Sequence, residues 1–242
     1  MTSRTPAAPA YRRMSVEDRR SQLLTSALTL FAQRAPEDVS LDDVAEAAGV
    51  SRPLVYRYFP GGKQQLYETA LRSAADELEL CFAEPESGPP TERISRMLDR
   101  YLVFVDGHAT GFSALLRGGS VAETSRTTSI VDEVRRAAAE QILVHLGGDR
   151  PGLRLRMLVR VWIAAVEAAS LIWLDEGRRP AAPELRDWLL DQLIATLAAT
   201  AAGDPDTAGR LDALLLLEHP DGPAGRLAHA LLPTARRTAG QG

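Results

Sequence analysis

Apolar side chains recur every three to four positions along most of this chain, with polar side chains between them. Leu23, Ala27 and Phe31 form such a stripe, which predicts an amphipathic helix that begins after Ser15 and ends before Pro36. A period of two, which would indicate a strand, does not extend over any length. The pattern therefore predicts an all-α fold.

Two short helices joined by a glycine-containing turn are predicted next. The first spans 41–48, with Ser40 as its N-cap and apolar residues at i, i+3, i+4 and i+7. We expect Ser51 to cap the second, which tolerates Pro53 in its first turn and ends at the Pro-Gly-Gly sequence of 60–62. This arrangement is typical of a helix-turn-helix, whose second helix lies in the major groove of DNA.

The remaining helical segments fall on both sides of a loop rich in glutamate and proline. Before the loop, a fourth helix is predicted over 63–82. After it, the pattern predicts helices near 91–107, 109–117, 122–146, 152–177 and 182–202, with weaker patches near 207–217 and 223–232. We therefore expect four parts, which are a disordered arm over 1–14, a helix-turn-helix unit over 15–83, a larger helical unit over 91–202 and an extension over 203–242.

Net charge alone does not decide whether this protein binds nucleic acid. The chain carries 28 basic and 32 acidic residues, a net charge of −4. Between Ser51 and Lys63, however, Arg52, Arg57 and Lys63 occur without any acidic residue. A local basic patch is sufficient for binding, because only the surface that faces DNA must be positive. A solvated charged loop explains the same residues, so both interpretations stay open here.

The outer side of the second short helix carries residue types that contact DNA. With Leu54 and Phe59 facing the core, the two arginines and Tyr56 remain outside. Arginine binds guanine through two hydrogen bonds, and tyrosine hydroxyls donate to phosphates. A scaffold with half-buried tyrosines and no role in DNA binding satisfies the periodicity equally well. The candidate DNA-contacting residues are Ser40, Ser51, Arg52, Pro53, Tyr56, Arg57, Tyr58 and Lys63.

The order of residues over 23–66 strongly resembles the TetR family of bacterial regulators. The matching residues are Leu24, Ala27, Leu30-Phe31, Val44-Ala45, Ala48-Gly49-Val50-Ser51, Leu54-Val55-Tyr56-Arg57-Tyr58-Phe59, Lys63 and Leu66. The resemblance implies an all-α homodimer with an N-terminal three-helix DNA-binding domain and a C-terminal helical domain for ligand binding and dimerisation. Most members repress transcription until a small ligand releases them, and a minority activate. The doubled glycine at 61–62 departs from the family pattern and leaves the start of the fourth helix open.

The same resemblance assigns roles within the larger unit. It implies that 152–177 and 182–202 form a four-helix bundle with a partner subunit, although ordinary core packing explains their apolar stripes as well. The candidate ligand-binding residues are Met97, Tyr101, Phe104, Phe112, Leu115, Arg117, Trp162 and Glu167. Glu167 stands out, because a carboxylate in an apolar helix needs a partner or a raised pKa. A ligand amine or hydroxyl, a salt bridge at a subunit interface and simple exposure would each satisfy it.

Other classes of function have little support in the sequence. It contains no Walker loop, GxSxG, HExxH or paired-cysteine motif, so we expect no catalytic residue, metal or cofactor. A regulator with a filled core and no effector remains an alternative. No apolar run reaches the roughly 18–20 residues that span a bilayer, since 161–174 is interrupted by Glu167. We expect a cytoplasmic protein whose partners are double-stranded operator DNA, a second copy of itself and a small apolar effector, and no membrane.

Overall fold

The computed structural model describes residues 14–117, 124–147 and 150–228. Within these ranges the chain is helical and contains no strand, which confirms the predicted all-α fold. The helices are α1 (Val16–Gln33), α2 (Leu41–Ala47), α3 (Arg52–Tyr58), α4 (Gly62–Phe82), α5 (Pro90–Gly107), α6 (Ala109–Arg117), α7 (Ser125–His145), α8 (Leu153–Asp175), α9 (Ala182–Ala201) and α10 (Pro205–Leu215), with a 3-10 turn at Pro36–Asp38. The predicted arm over 1–14, apart from Met14, and the end of the extension from 229 lie outside the described residues.

Side-chain caps determine where the first two helices begin. The Ser15 hydroxyl accepts a hydrogen bond from the Asp18 N–H at 2.9 Å, and the Ser40 hydroxyl accepts one from the Asp43 N–H at 3.1 Å. Each aspartate in turn accepts the backbone N–H of its serine. These reciprocal capping boxes satisfy two orphan donors per helix and confirm both predicted starts.

Ser51 is the N-cap residue of α3, as predicted, but its side chain does not take part in the cap. Its backbone is extended there, and its hydroxyl makes no capping hydrogen bond among the described residues. The reason lies in the two N–H groups that a cap would accept. Pro53 has none, and the Leu54 N–H donates to the Ser51 carbonyl oxygen at 2.9 Å.

The first four helices enclose a small core that fixes the orientation of α3. Val55 of α3 and Phe59, the C-cap residue of this helix, are fully buried and pack with Leu23, Val44 and Leu66. The expectation that Leu54 faces this core together with Phe59 is therefore wrong, since Leu54 is only half-buried. Residues four apart share a helix face, so Val55 is the residue that accompanies Phe59 inward.

The larger core lies among α5, α7, α8 and α9. Trp162 of α8 is buried in it, and its indole N–H donates to the Leu189 carbonyl oxygen of α9 at 2.9 Å. The helix predicted from 122 begins instead at Ser125, because the Thr124 side chain caps it, while 118–123 lie outside the described residues. Part of the extension is also ordered against this unit, since α10 packs on α9.

Helix α8 is long and apolar enough to cross a membrane, by length and composition alone. The expectation that no apolar run reaches this size does not hold by this measure, because Arg160 and Glu167 do not offset the apolar residues around them. One side of α8 packs against α7 and α9. Its other side exposes large apolar side chains, namely Leu153, Met157, Val161 and Ile172.

Helix α6 joins the small unit to the larger one through an unusually close contact. A Cβ atom at Gly111 would lie 2.5 Å from the Phe31 carbonyl oxygen of α1, so only glycine permits this approach. A second contact joins α4 to α7, where Arg72 forms an ion pair with Glu133. Both contacts connect helices of the small unit to helices that surround the larger core.

Candidate functional site

Helix α3 presents its polar residues to solvent because Val55 and Phe59 hold its other side in the core. The exposed residues among the DNA-contacting candidates on or beside it are Ser51, Arg52, Pro53, Tyr56 and Arg57. Tyr58 is half-buried and packs against the small core. Arg57 makes no ion pair with any residue that the structure describes, so its guanidinium is available to an external partner.

Arg52 is oriented by two neighbours. Its Nη1 donates to Asp42 Oδ2 at 3.0 Å, and its guanidinium carbon lies 5.6 Å from the centre of the Tyr56 ring. A hydrogen bond with Tyr56 and the charge of Asp42 raise the pKa of the guanidinium. Because both members of the ion pair are exposed, the contact orients Arg52 more than it stabilises the fold.

Ser40 and Lys63 each make a hydrogen bond within the protein. The Ser40 hydroxyl donates to Asp43 Oδ2 at 2.5 Å, and hydrogen bonds from Ser40 and then Arg34 lower the pKa of the Asp43 carboxyl to about 2. Lys63 is the second residue of α4, and its Nζ donates to the Glu37 carbonyl oxygen at 2.9 Å. Both residues therefore hold local structure at the surface that adjoins α3.

A largely apolar cavity of about 160 Å³ lies between the small unit and the larger core. Its wall includes the ligand-binding candidates Met97, Tyr101, Phe104, Phe112, Leu115, Trp162 and Glu167. The side chain of Arg117, the remaining candidate, lies outside the described part of the structure. The small unit also lines the cavity, through Phe31 of α1 and Tyr67 of α4, and this contribution is not predictable from the sequence pattern.

Polar groups meet this cavity at Tyr101, Arg135 and Glu167. Arg135 of α7 donates to Glu167 of α8 through Nε at 2.9 Å and Nη2 at 2.8 Å, a geometry with two nearly parallel hydrogen bonds. A salt bridge thus satisfies Glu167, but its partner belongs to the same chain and not to another subunit. The Tyr101 hydroxyl is buried without a hydrogen-bond partner among the described residues. Burial raises the pKa of the Tyr101 phenol.

Comparison with known proteins agrees with this geometry, which is that of a helix-turn-helix DNA-binding regulator. The family model "Bacterial regulatory proteins, tetR family" matches residues 23–70, and "Tetracyclin repressor-like, C-terminal domain" matches residues 90–196. The crystal structure of a tetR-family transcriptional regulator from Streptomyces coelicolor is similar with a TM-score of 0.87 at 47% sequence identity, covering 92% of this chain and 100% of that one. This chain belongs to the TetR family of DNA-binding transcriptional regulators.

Curated relatives are regulators as well. The HTH-type transcriptional regulator EthR of Mycobacterium tuberculosis is 27% identical over 203 residues, covering 79% of this chain and 91% of that protein. The HTH-type transcriptional activator FasR of Mycolicibacterium smegmatis is 24% identical over 171 residues, covering 69% of this chain and 77% of that protein. The families and relatives are transcriptional regulators and not enzymes, as the sequence predicts.

Proposed function

We propose that this protein is a cytoplasmic, homodimeric repressor that leaves a palindromic operator when a small apolar molecule occupies its cavity. The position of the cavity carries the proposal, because its wall combines α1 and α4 of the small unit with α5, α6, α7 and α8. An occupant contacts both units and stabilises whichever relative arrangement it binds better. Activation is the second candidate, since one relative carries the name of a transcriptional activator.

The dimer would form through the outer faces of α8 and α9, within the segments 152–177 and 182–202. Only 28% of the residues in the most apolar stretch of α8 are buried within one chain. Its exposed apolar side chains recur at helical spacing, and on α9, which packs beside α8, Trp188 is 52% exposed. An exposed apolar face of this kind marks an interaction surface, and a second copy of the chain covers it without invoking a membrane.

In this proposal the DNA contacts divide into two groups. Arg52 and Arg57 read base edges from α3, with Pro53 and Tyr56 beside them, while Ser40, Ser51, Tyr58 and Lys63 hold phosphates. For this, Ser40 exchanges its hydrogen bond to Asp43 for one to DNA, and Lys63 its hydrogen bond to the Glu37 carbonyl oxygen. A two-fold dimer presents two copies of this surface, so the operator is expected to be palindromic. We place the DNA-binding domain at 15–83 and the effector and dimerisation domain at 91–202, flanked by the arm over 1–14 and the extension over 203–242.

Replacing Arg57 with alanine is expected to weaken binding to the operator by about 5- to 150-fold per subunit and to affect random DNA much less. The reason is that two hydrogen bonds to guanine contribute about 1–3 kcal/mol of discrimination. Fluorescence anisotropy on operator and scrambled duplexes, at one salt concentration, measures both affinities. Arg179→Ala is the matched control, because Arg179 is exposed in the loop between α8 and α9. Equal losses on both duplexes would assign Arg57 to the phosphates.

An effector of this protein should weaken operator binding, and the operator should weaken effector binding by the same factor. This reciprocity is required of any ligand that acts by coupling between two sites. A thermal-shift screen finds molecules that bind the folded protein, since such molecules raise its melting temperature. Titrations of each hit with and without saturating operator then measure the coupling. Hits whose affinity is unchanged by operator would exclude effector release as the mechanism for those molecules.

A further inference from the structure

We propose that the hydroxyl of Tyr101 anchors the occupant of the cavity, and that this occupant is an apolar molecule about the size of one aromatic ring with a hydrogen-bond-accepting oxygen. The inference rests on the proposed function in one respect, which is that the cavity takes an occupant. It adds the chemical class of that occupant and the atom that recognises it.

The Tyr101 hydroxyl has no hydrogen-bond partner within the described part of the chain. The side chain is 7% exposed, and its oxygen is buried. The Ser170 hydroxyl is close enough to lower the pKa of the phenol, but it is not in hydrogen-bonding geometry with Tyr101, and its own hydrogen bond goes to the Val166 carbonyl oxygen at 2.8 Å. Buried polar groups in native proteins almost always have partners, so an unpaired one on a cavity wall indicates a ligand contact.

The Tyr101 phenol is available as a hydrogen-bond donor in a fixed position. Burial raises its pKa, so it remains protonated at neutral pH. Its ring stands edge-to-face against Phe112 with 6.3 Å between the ring centres, which restricts where the hydroxyl lies. A donor that is protonated, buried and held by packing selects for an acceptor atom on the ligand.

The charged groups of the wall are already committed to protein partners. Arg135 and Glu167 satisfy each other through two hydrogen bonds. His108 Nδ1 lies 3.0 Å from the Phe104 carbonyl oxygen, and the two rings stack with their centres 4.2 Å apart. Among the wall residues that the structure describes, Tyr101 therefore contributes the buried polar atom that still lacks a partner.

The volume and wall of the cavity define the rest of the ligand. A cavity of about 160 Å³ is close to the roughly 150 Å³ of an engineered apolar cavity that binds benzene. The wall is rich in aromatic side chains, such as Phe31, Phe104 and Trp162, and offers no carboxylate free of an arginine to a ligand amine among the described residues. A neutral carbonyl satisfies Tyr101 alone, whereas a carboxylate also competes with Glu167 for Arg135.

The test uses the full chain and four molecules that contain one ring and the same number of non-hydrogen atoms: cumene, acetophenone, benzoate and α-methylbenzylamine. Isothermal titration measures each against the unmodified protein and Tyr101→Phe, which removes only the hydroxyl. We expect acetophenone to bind about 3- to 10-fold more tightly than cumene, the contribution of one net hydrogen bond, and the preference to disappear in the variant. Cumene binding should persist in Tyr101→Phe, which shows that the cavity remains folded.

Each other outcome has a definite meaning. If benzoate binds more tightly than acetophenone, and Arg135→Gln weakens benzoate binding, the acceptor is a carboxylate. If acetophenone binds more tightly than benzoate, the acceptor is a neutral oxygen. Equal binding of cumene and acetophenone, or a preference that survives Tyr101→Phe, overturns the anchor while leaving the cavity as an effector site. Preferential binding of the amine, or binding of none of the four, overturns the ligand class. The effector role itself fails only if no molecule from the thermal-shift screen alters operator binding.

Discussion

Replacing Val161 with glutamate is expected to leave the chain monomeric and to weaken operator binding by about a thousandfold. Val161 is 69% exposed and lies in the apolar outer face of α8. In the proposed dimer it packs against the partner, where a carboxylate without a counter-charge is strongly disfavoured. A monomer engages one half-site only and loses much of the specific binding free energy, which amounts to several kcal/mol. Sedimentation velocity measures the oligomeric state and anisotropy the affinity.

Val103→Glu is the matched control for this substitution. Val103 is also an exposed valine, with 75% of its surface accessible, but it lies on α5, which is not part of the proposed interface. This variant should remain dimeric and bind the operator as the unmodified protein does. A dimeric Val161→Glu protein would contradict the assignment of the interface to α8, and a monomeric Val103→Glu protein would move the interface towards α5.

Replacing Gly111 with alanine should lower the free energy of unfolding by about 1–3 kcal/mol, as other overpacked positions do. The added Cβ would lie 2.5 Å from the Phe31 carbonyl oxygen, so α6 and α1 must separate. Gly209→Ala is the control, because this glycine also lies within a helix and has nothing within 4 Å of the new Cβ. Alanine there should stabilise by about 0.5–1 kcal/mol through its higher helix propensity. Urea denaturation compares the two variants.

An unchanged stability of Gly111→Ala would show that α6 and α1 separate at no cost. The structure would then offer no tight mechanical connection between the ligand cavity and the DNA-binding helices at this point. Coupling would in that case have to pass through α4 and α7, where Arg72 pairs with Glu133.

Features set by neighbours in sequence were predictable. Both capping boxes join residues three apart, and the period of apolar residues placed most helices within a few residues of their observed ends. The assignment of Leu54 to the core failed because its spacing of five from Phe59 does not match a helical face, whereas that of Val55 does. Ser51 occupies the N-cap position, but its side chain makes no cap, because Pro53 has no N–H and that of Leu54 donates to the Ser51 carbonyl oxygen.

Features set by tertiary contacts were not predictable. Lys63 donates to a carbonyl 26 residues away, and Arg135 pairs with Glu167 across 32 residues. No local pattern encodes either contact. The cavity, whose wall includes α1 and α4, was not predictable either. Phe31 belongs to the apolar stripe of α1, and the sequence of that stripe is the same whether or not Phe31 also borders a cavity.

The three tryptophans give this protein two separate optical signals. Trp162 and Trp173 are buried, and their indole N–H groups donate to carbonyl oxygens at 2.9 Å and 2.8 Å. Trp188 lies on the surface that the proposed dimer covers, and half of it is open to solvent in one chain. Emission from Trp188 therefore reports association between subunits, while emission from the other two reports the integrity of each subunit. A protein that retains Trp188 alone would follow dissociation by collisional quenching, without an attached dye.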